Sequence, residues 1–162
     1  MTAPNRQILV FLLAGLLLGA AVGCRHETPD PATNPRVLNL GQGDDWIGNA
    51  ICYGPHRDGQ HPGGISPSQM ELLEDLQLMV PHWNLLRTYG SGPIAENILA
   101  TIHANQVNMK VMLGAWIASH DEEANLFQVN DAIRLANTYP DIVVAVCVGN
   151  ETQVSWSDNR CD

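Results

Sequence analysis

The chain has 162 residues, enough for one domain of ordinary size, and its 45% hydrophobic and 15% charged residues make a globular rather than a disordered composition. The formal net charge is −9, from 8 Lys+Arg against 17 Asp+Glu. That balance argues against a nucleic-acid partner, which needs clustered base to neutralise phosphate, and is compatible with a neutral substrate such as a sugar polymer.

The N-terminus reads as an export signal. Arg6 is followed by an almost wholly apolar run from Ile8 to Ala21. The run has about the length of a signal h-region and is short for a spanning helix of ~20 residues. It ends in Ala21-Val22-Gly23-Cys24, small residues before a cysteine that resemble a bacterial lipobox. Residues 1–23 are therefore expected to be a lipoprotein-type signal peptide, with acyl chains on Cys24 holding the exported protein to a membrane of the bacterial cell envelope. Residues 24–45, with Pro29, Pro31 and Pro35, read as an extended tether that lifts a folded domain, 46–162, off that membrane.

From residue 46 onward, strand and helix patterns alternate. Ile47 to Tyr53 predicts a first strand, followed by a turn-rich loop from Gly54 to Gly64. Ser66-Pro67-Ser68-Gln69 predicts a helix start, with Ser66 as the cap, Pro67 in the first helical position and Gln69 three residues after the cap. Leu72, Leu73, Leu76, Met79 and Val80 then share one helical face. Trp83 to Tyr89 predicts the second strand. Gly90 to Pro93 turns into a helix with Ile94, Ile98, Leu99 and Ile102 on one face. Met109 to Trp116 predicts the third strand. Asp121 caps a third helix that carries Leu126, Val129, Ile133 and Ala136 at helical spacing. Ile142 to Val148 is apolar on both faces, the pattern of a fully buried parallel strand, and leads into Gly149-Asn150-Glu151.

Strands separated by helices at a repeat of roughly 30 residues predict a parallel sheet with helical crossovers. Two architectures fit, an open doubly wound sheet and part of an eight-stranded β/α barrel. A nucleotide-binding sheet should carry a Gly-rich turn after its first strand, and Gly54-Pro55-His56 is not that pattern. Polar or aromatic residues stand instead at the C-terminal ends of all four strands: Tyr53, Arg87 with Tyr89, Trp116, and Asn150 with Glu151. A barrel collects its active site there. Strand alternation puts Arg87 and Tyr89 on one face with Leu85, and Tyr53 with Ile51. Aromatic rings stack on the apolar faces of sugars, and amides and carboxylates bind their hydroxyls, so the set suits a carbohydrate.

Four stretches in order carry a resemblance. Ile51-Cys52-Tyr53-Gly54-Pro55 with Arg57-Asp58-Gly59-Gln60, Leu85 to Tyr89, Val111 to Trp116, and Val148-Gly149-Asn150-Glu151 are similar to glycoside hydrolase family 17, in particular to its bacterial β-1,3-glucanase-like members. The likeness spans about residues 48–158. It implies a TIM-barrel, (β/α)8 fold of which only about the first four βα units are present. It implies a retaining glycosidase acting on β-1,3-glucan, a polysaccharide or its oligosaccharides. By the same resemblance Glu151 is the general acid/base and Asn150 contacts the sugar at the cleavage subsite. Tyr53, Arg87 and Tyr89 shape that subsite, Trp116 offers a stacking platform, and no metal or cofactor is needed. The family's nucleophile is a second Glu at the end of strand seven, which these 162 residues do not contain. Retaining chemistry needs two carboxyls roughly 5 Å apart, so the chain is expected to be a truncated or incompletely read N-terminal half, inactive alone. A carbohydrate-binding half-barrel without catalysis and a glucan transglycosylase are the alternatives.

The remaining polar residues receive plainer readings. No cysteine pair has C-x-x-C spacing, and Cys52 and Cys147, inside predicted strands, are expected to be free buried thiols. Histidines 56, 61, 82, 103 and 120 read as loop or surface residues, with His56 the exception to watch because it follows strand one. Trp83 and Trp156 are expected to pack.

Overall fold

Four parallel strands stand side by side in the order in which they occur in the chain. They are β1 (Ala50–Cys52), β2 (Leu85–Arg87), β3 (Lys110–Ala115) and β4 (Val143–Val148), separated by α1 (Gln69–Met79), α2 (Pro93–Ala104) and α3 (Glu122–Thr138). The computed structural model describes residues 39–41, 43–157 and 159–161. The expected signal segment 1–23, Cys24 and most of the expected 24–45 tether lie outside them. Leu40, within the expected tether, joins the fold: the Ile47 amide donates to its carbonyl at 2.7 Å, around a short 3-10 turn at Gly43–Asp45. No helix among the described residues is long and apolar enough to cross a membrane.

The first two strands are shorter than the apolar runs suggest, because neighbouring turns claim their ends. The Trp83 amide donates to Met79 at the close of α1, and both Asn84 and Leu85 donate to the Asn49 carbonyl. Registered partners Ile51, Leu86 and Val111 face one side of the sheet, with Leu113 and Ala115 beyond them. These side chains meet Leu72 and Leu76 of α1, Ile98, Leu99 and Ile102 of α2, and Ala132 and Leu135 of α3 in one apolar cluster. All three helices therefore cover the same face. A doubly wound sheet, with helices on both faces and a reversal of strand order, is not what forms among the described residues.

The start of α1 differs from expectation. Its cap is Ser68, not Ser66: Ser68 Oγ accepts from the Glu71 amide at 3.3 Å, and the Glu71 carboxylate accepts from the Ser68 amide at 2.7 Å. Ser66-x-x-Gln69 and Ser68-x-x-Glu71 share the same spacing. The second prevails because a carboxylate is the stronger acceptor and sits favourably at a helix N-terminus. At α3, Asp121 caps as expected, accepting from the Ala124 amide at 2.9 Å. The buried stripe, however, is Ala132, Leu135 and Ala136, while Leu126 and Ile133 are each 56% exposed. Two alanines let the helix lie close on β3 and β4, and the larger residues turn outward.

The apolar run at β4 is not buried on both faces. Val143 is buried, but Val148 is 66% exposed. No described helix covers the outer side of this edge strand, so the residues registered beside Leu113 and Ala115 lack the cover those two have. Pairing also slips between Val111 and Met112: Val111 faces Val143 while Met112 faces Ala145, leaving Val144 as the extra residue of a bulge. Cys52 is exposed and Cys147 half-buried, against the expectation of buried thiols, because both point to the sheet face that carries no helices. Trp83 packs at the edge of the core as expected, whereas Trp156 is exposed.

Candidate functional site

Cys52 of β1, Arg87 of β2 and Met112 of β3 occupy registered positions on the uncovered face. Arg87 is the hub of that face. Its Nη2 donates to Asn150 Oδ1 at 3.2 Å, and its two terminal nitrogens approach the sulfurs of Cys52 and Cys147, each at 3.9 Å. The guanidinium lies over the Tyr89 ring, 5.0 Å from its centroid. Alternation along β2 predicts that Arg87 and Tyr89 share a face, and the stacked geometry agrees. Burial pulls the guanidinium pKa down, hydrogen bonds to the two thiols push it up, and the net shift is upward. Arg87 is therefore a fixed cation.

Asn150 and Glu151 do not belong to the strand itself. Alternation stops at Val148, where Gly149 turns into the left-handed region at φ 82° and its amide donates to the Ala115 carbonyl at 2.8 Å. Glu151 also has a positive φ, 60°, a conformation that costs a residue with a Cβ about 1 kcal/mol. Glu151 is exposed.

Tyr53, Tyr89, Trp116, Asn150 and Glu151 all line one cleft of about 980 Å³. Its other walls come from the loop after β1, including Pro55 and His56, and from the start of α2. Arg87 is not among the lining residues and reaches the cleft through Asn150 and Tyr89. His56 stands in the cleft wall, as its place after the first strand suggested, and the other four histidines of the described unit are exposed. Glu151 is the one carboxylate of the cleft lining among the described residues.

Tyr53 plays a different part from Tyr89. It shares the helix-side face with Ile51, is only 9% exposed, and donates its hydroxyl to Asp75 Oδ2 on α1 at 2.7 Å. Burial, then the hydrogen bond to Asp75, push the phenol pKa well above its ordinary value. Asp75 Oδ1 accepts from Arg57 Nη2 at 2.7 Å, and Arg57 also donates to Glu74 Oε2 at 3.0 Å and to the Glu71 carbonyl at 2.8 Å. Hydrogen bonds to Asp75 and then Glu74 hold the Arg57 guanidinium above its usual value. This relay clamps the loop after β1 onto α1. The phenol hydroxyl is thus turned away from the cleft, and Tyr53 offers it a ring.

Two further features escaped the sequence. Gly114 of β3 lets the end of β2 pass over it: a Cβ there would lie 2.5 Å from the Thr88 carbonyl oxygen, and the Gly114 amide donates to Thr88 Oγ1 at 2.9 Å. Gln128 of α3 accepts the Ser91 and Trp116 amides on its side-chain oxygen, at 2.9 and 3.0 Å. A glutamine between Phe127 and Val129 carried no signal that distinguished it from a solvated helix position. The described residues hold no cluster of three or more metal-binding side chains. Comparison of the chain with protein-family models, with curated proteins and with solved structures returned no significant match.

Proposed function

We propose that this unit is the N-terminal half of a (β/α)8 glycosidase barrel of the retaining type that acts on β-1,3-glucan, with Glu151 as general acid/base. The observation that carries this reading is the Asn150–Glu151 turn at the C-terminal end of β4. Arg87 holds its Asn, and its Glu is the one acid lining an aromatic-walled cleft among the described residues. Sequential parallel strands with all helices on one face support the barrel, since four successive units of such a barrel have that arrangement. Protonation of a glycosidic oxygen needs one carboxylic acid, and retention needs a second carboxylate as nucleophile, which lies outside the described residues. Anchorage through acylated Cys24 belongs to the same reading, with labelling by a radioactive fatty acid lost in Cys24→Ala as its check.

That the described residues bring one carboxylate to the cleft favours a second reading, a sugar-binding module without chemistry. Calorimetric titration with laminaritetraose and product analysis separate the two. Binding without any cleavage supports the second reading for this chain. In a form of the protein that supplies the second carboxylate, Glu151→Gln is expected to abolish turnover and spare binding. Near-normal hydrolysis by that variant overturns the acid/base assignment. Transfer products instead of hydrolysis products would indicate a transglycosylase.

A further inference from the structure

The side-chain amide of Gln128 has an orientation fixed by its surroundings. Two backbone N–H groups converge on Oε1, from Ser91 and Trp116, and fill the two lone pairs of a carbonyl oxygen. The Ser91 hydroxyl, fully buried, lies 3.2 Å from the same oxygen and donates at 2.6 Å to the Gln128 backbone carbonyl. A flipped amide would set its NH2 against two N–H donors, so only one orientation is compatible with this pocket. In that orientation Nε2 carries two N–H groups with no hydrogen-bond partner among the described residues. Gln128 lines the cleft together with Gly90 and Gly92, and a Cβ on either glycine would stand 3.7 Å from Nε2. Nothing but backbone stands at those two positions, which leaves the amide open to an occupant.

We propose that Gln128 is a substrate-binding residue whose NH2 is preset to donate to a hydroxyl or ring oxygen of a neutral sugar in the cleft, beside Trp116. The sugar class rests on the glycosidase reading; the preset donor does not. A donor held in place before binding loses little conformational freedom on contact, which is what makes a single neutral hydrogen bond effective. The same oxygen ties Trp116 to the loop after β2, so one side chain both fixes the aromatic wall and reads the ligand.

The test follows the Gln128 side-chain NH2 resonance of the whole chain by nitrogen-edited NMR, titrated in parallel with laminaritetraose and maltotetraose. Laminaritetraose is expected to shift that resonance at saturation. Glu at this position keeps an acceptor for the Ser91 and Trp116 amides but has no donor. Gln128→Glu should therefore retain slow hydrogen exchange at both amides and bind about threefold to tenfold more weakly. Gln128→Leu should lose both the protection and the affinity. Laminaritetraose binding that leaves the NH2 resonance unmoved, or Gln128→Glu binding as tightly as wild type, overturns the proposal while the glucan reading stands. A shift with maltotetraose alone supports the preset donor and sinks the β-1,3-glucan reading. Failure of both sugars to move the resonance overturns the proposal.

Discussion

Arg87 Nη2 and Asn150 Oδ1 are joined at 3.2 Å across 63 positions of sequence. The bond spans from β2 past β3 to the turn after β4, so it ties the two halves of the sheet on the face that carries no helices. It also sets the amide that precedes Glu151. Lysine keeps the charge but cannot reach Asn150, both thiols and the Tyr89 ring from one head group. Arg87→Lys is expected to lower stability by about 1–2 kcal/mol in urea unfolding, with the midpoint falling and the slope unchanged. A midpoint equal to wild type would remove Arg87 as the link.

Glu151 holds a left-handed backbone conformation at the cleft. Glycine adopts φ near 60° without penalty, so Glu151→Gly is expected to stabilise the fold by about 0.5–1 kcal/mol while removing the cleft's carboxylate. Stability gained together with lost function would mark a strained position kept for its chemistry. A destabilised Glu151→Gly would show that the side chain itself supports the turn.

The phenol of Tyr53 holds its proton more tightly in the folded state than in the unfolded one. A raised folded pKa adds stability that is fully present below the unfolded value of about 10 and is lost as pH rises beyond it. Alkaline titration followed by phenolate absorbance should show the Tyr53 phenol ionising late, only as the fold is lost. In Tyr53→Phe that late component should be absent, and stability at neutral pH should fall by about 1 kcal/mol with loss of the Asp75 bond.

Glu71 and Glu96 titrate in the opposite sense. Bonds from the Ser68 backbone and hydroxyl lower the Glu71 pKa, and Arg134 lowers that of Glu96, whose carboxylate it grips at 2.9 Å through both terminal nitrogens. Depressed folded pKa values add stability above the unfolded value of about 4.3 that is lost as pH falls through the folded ones. Thermal midpoints should therefore drop between neutral pH and about pH 3. Ser68→Ala should cost about 1 kcal/mol at pH 7 and reduce the acid dependence. An unchanged acid limb would assign the dependence to other carboxylates.

Gly114→Ala tests the close passage of β2 over β3. Its Cβ would meet backbone, which cannot rotate away as a side-chain tip can. A loss of about 2–3 kcal/mol is expected in chemical unfolding, against tenths for Gly54→Ala, where nothing lies within 4 Å.

Periodicity in the chain was enough to identify seven elements, their types and the crossover pattern, because apolar spacing reports which residues leave water. The clustering of Tyr89, Trp116, Asn150 and Glu151 could be read from strand ends, since parallel strands deliver their C-terminal ends to one side of a sheet. Other features depended on contacts between distant segments. Ser68 displaced Ser66 as the cap because of which acceptor the helix end gains. Leu126 and Ile133 have the same spacing as the residues that bury, and only the close fit of Ala132 and Ala136 against the sheet decided the rotation of α3. Val146 and Val148 carry the pattern of buried residues, and their exposure depends on what covers β4, a matter of neighbours rather than of the strand. The turning of the Tyr53 hydroxyl to Asp75, and the locking of Gln128 by two amides from other segments, are likewise set by groups far away in sequence. Local patterns encode which side chains avoid water. Which partner each polar group finds is settled when the segments meet.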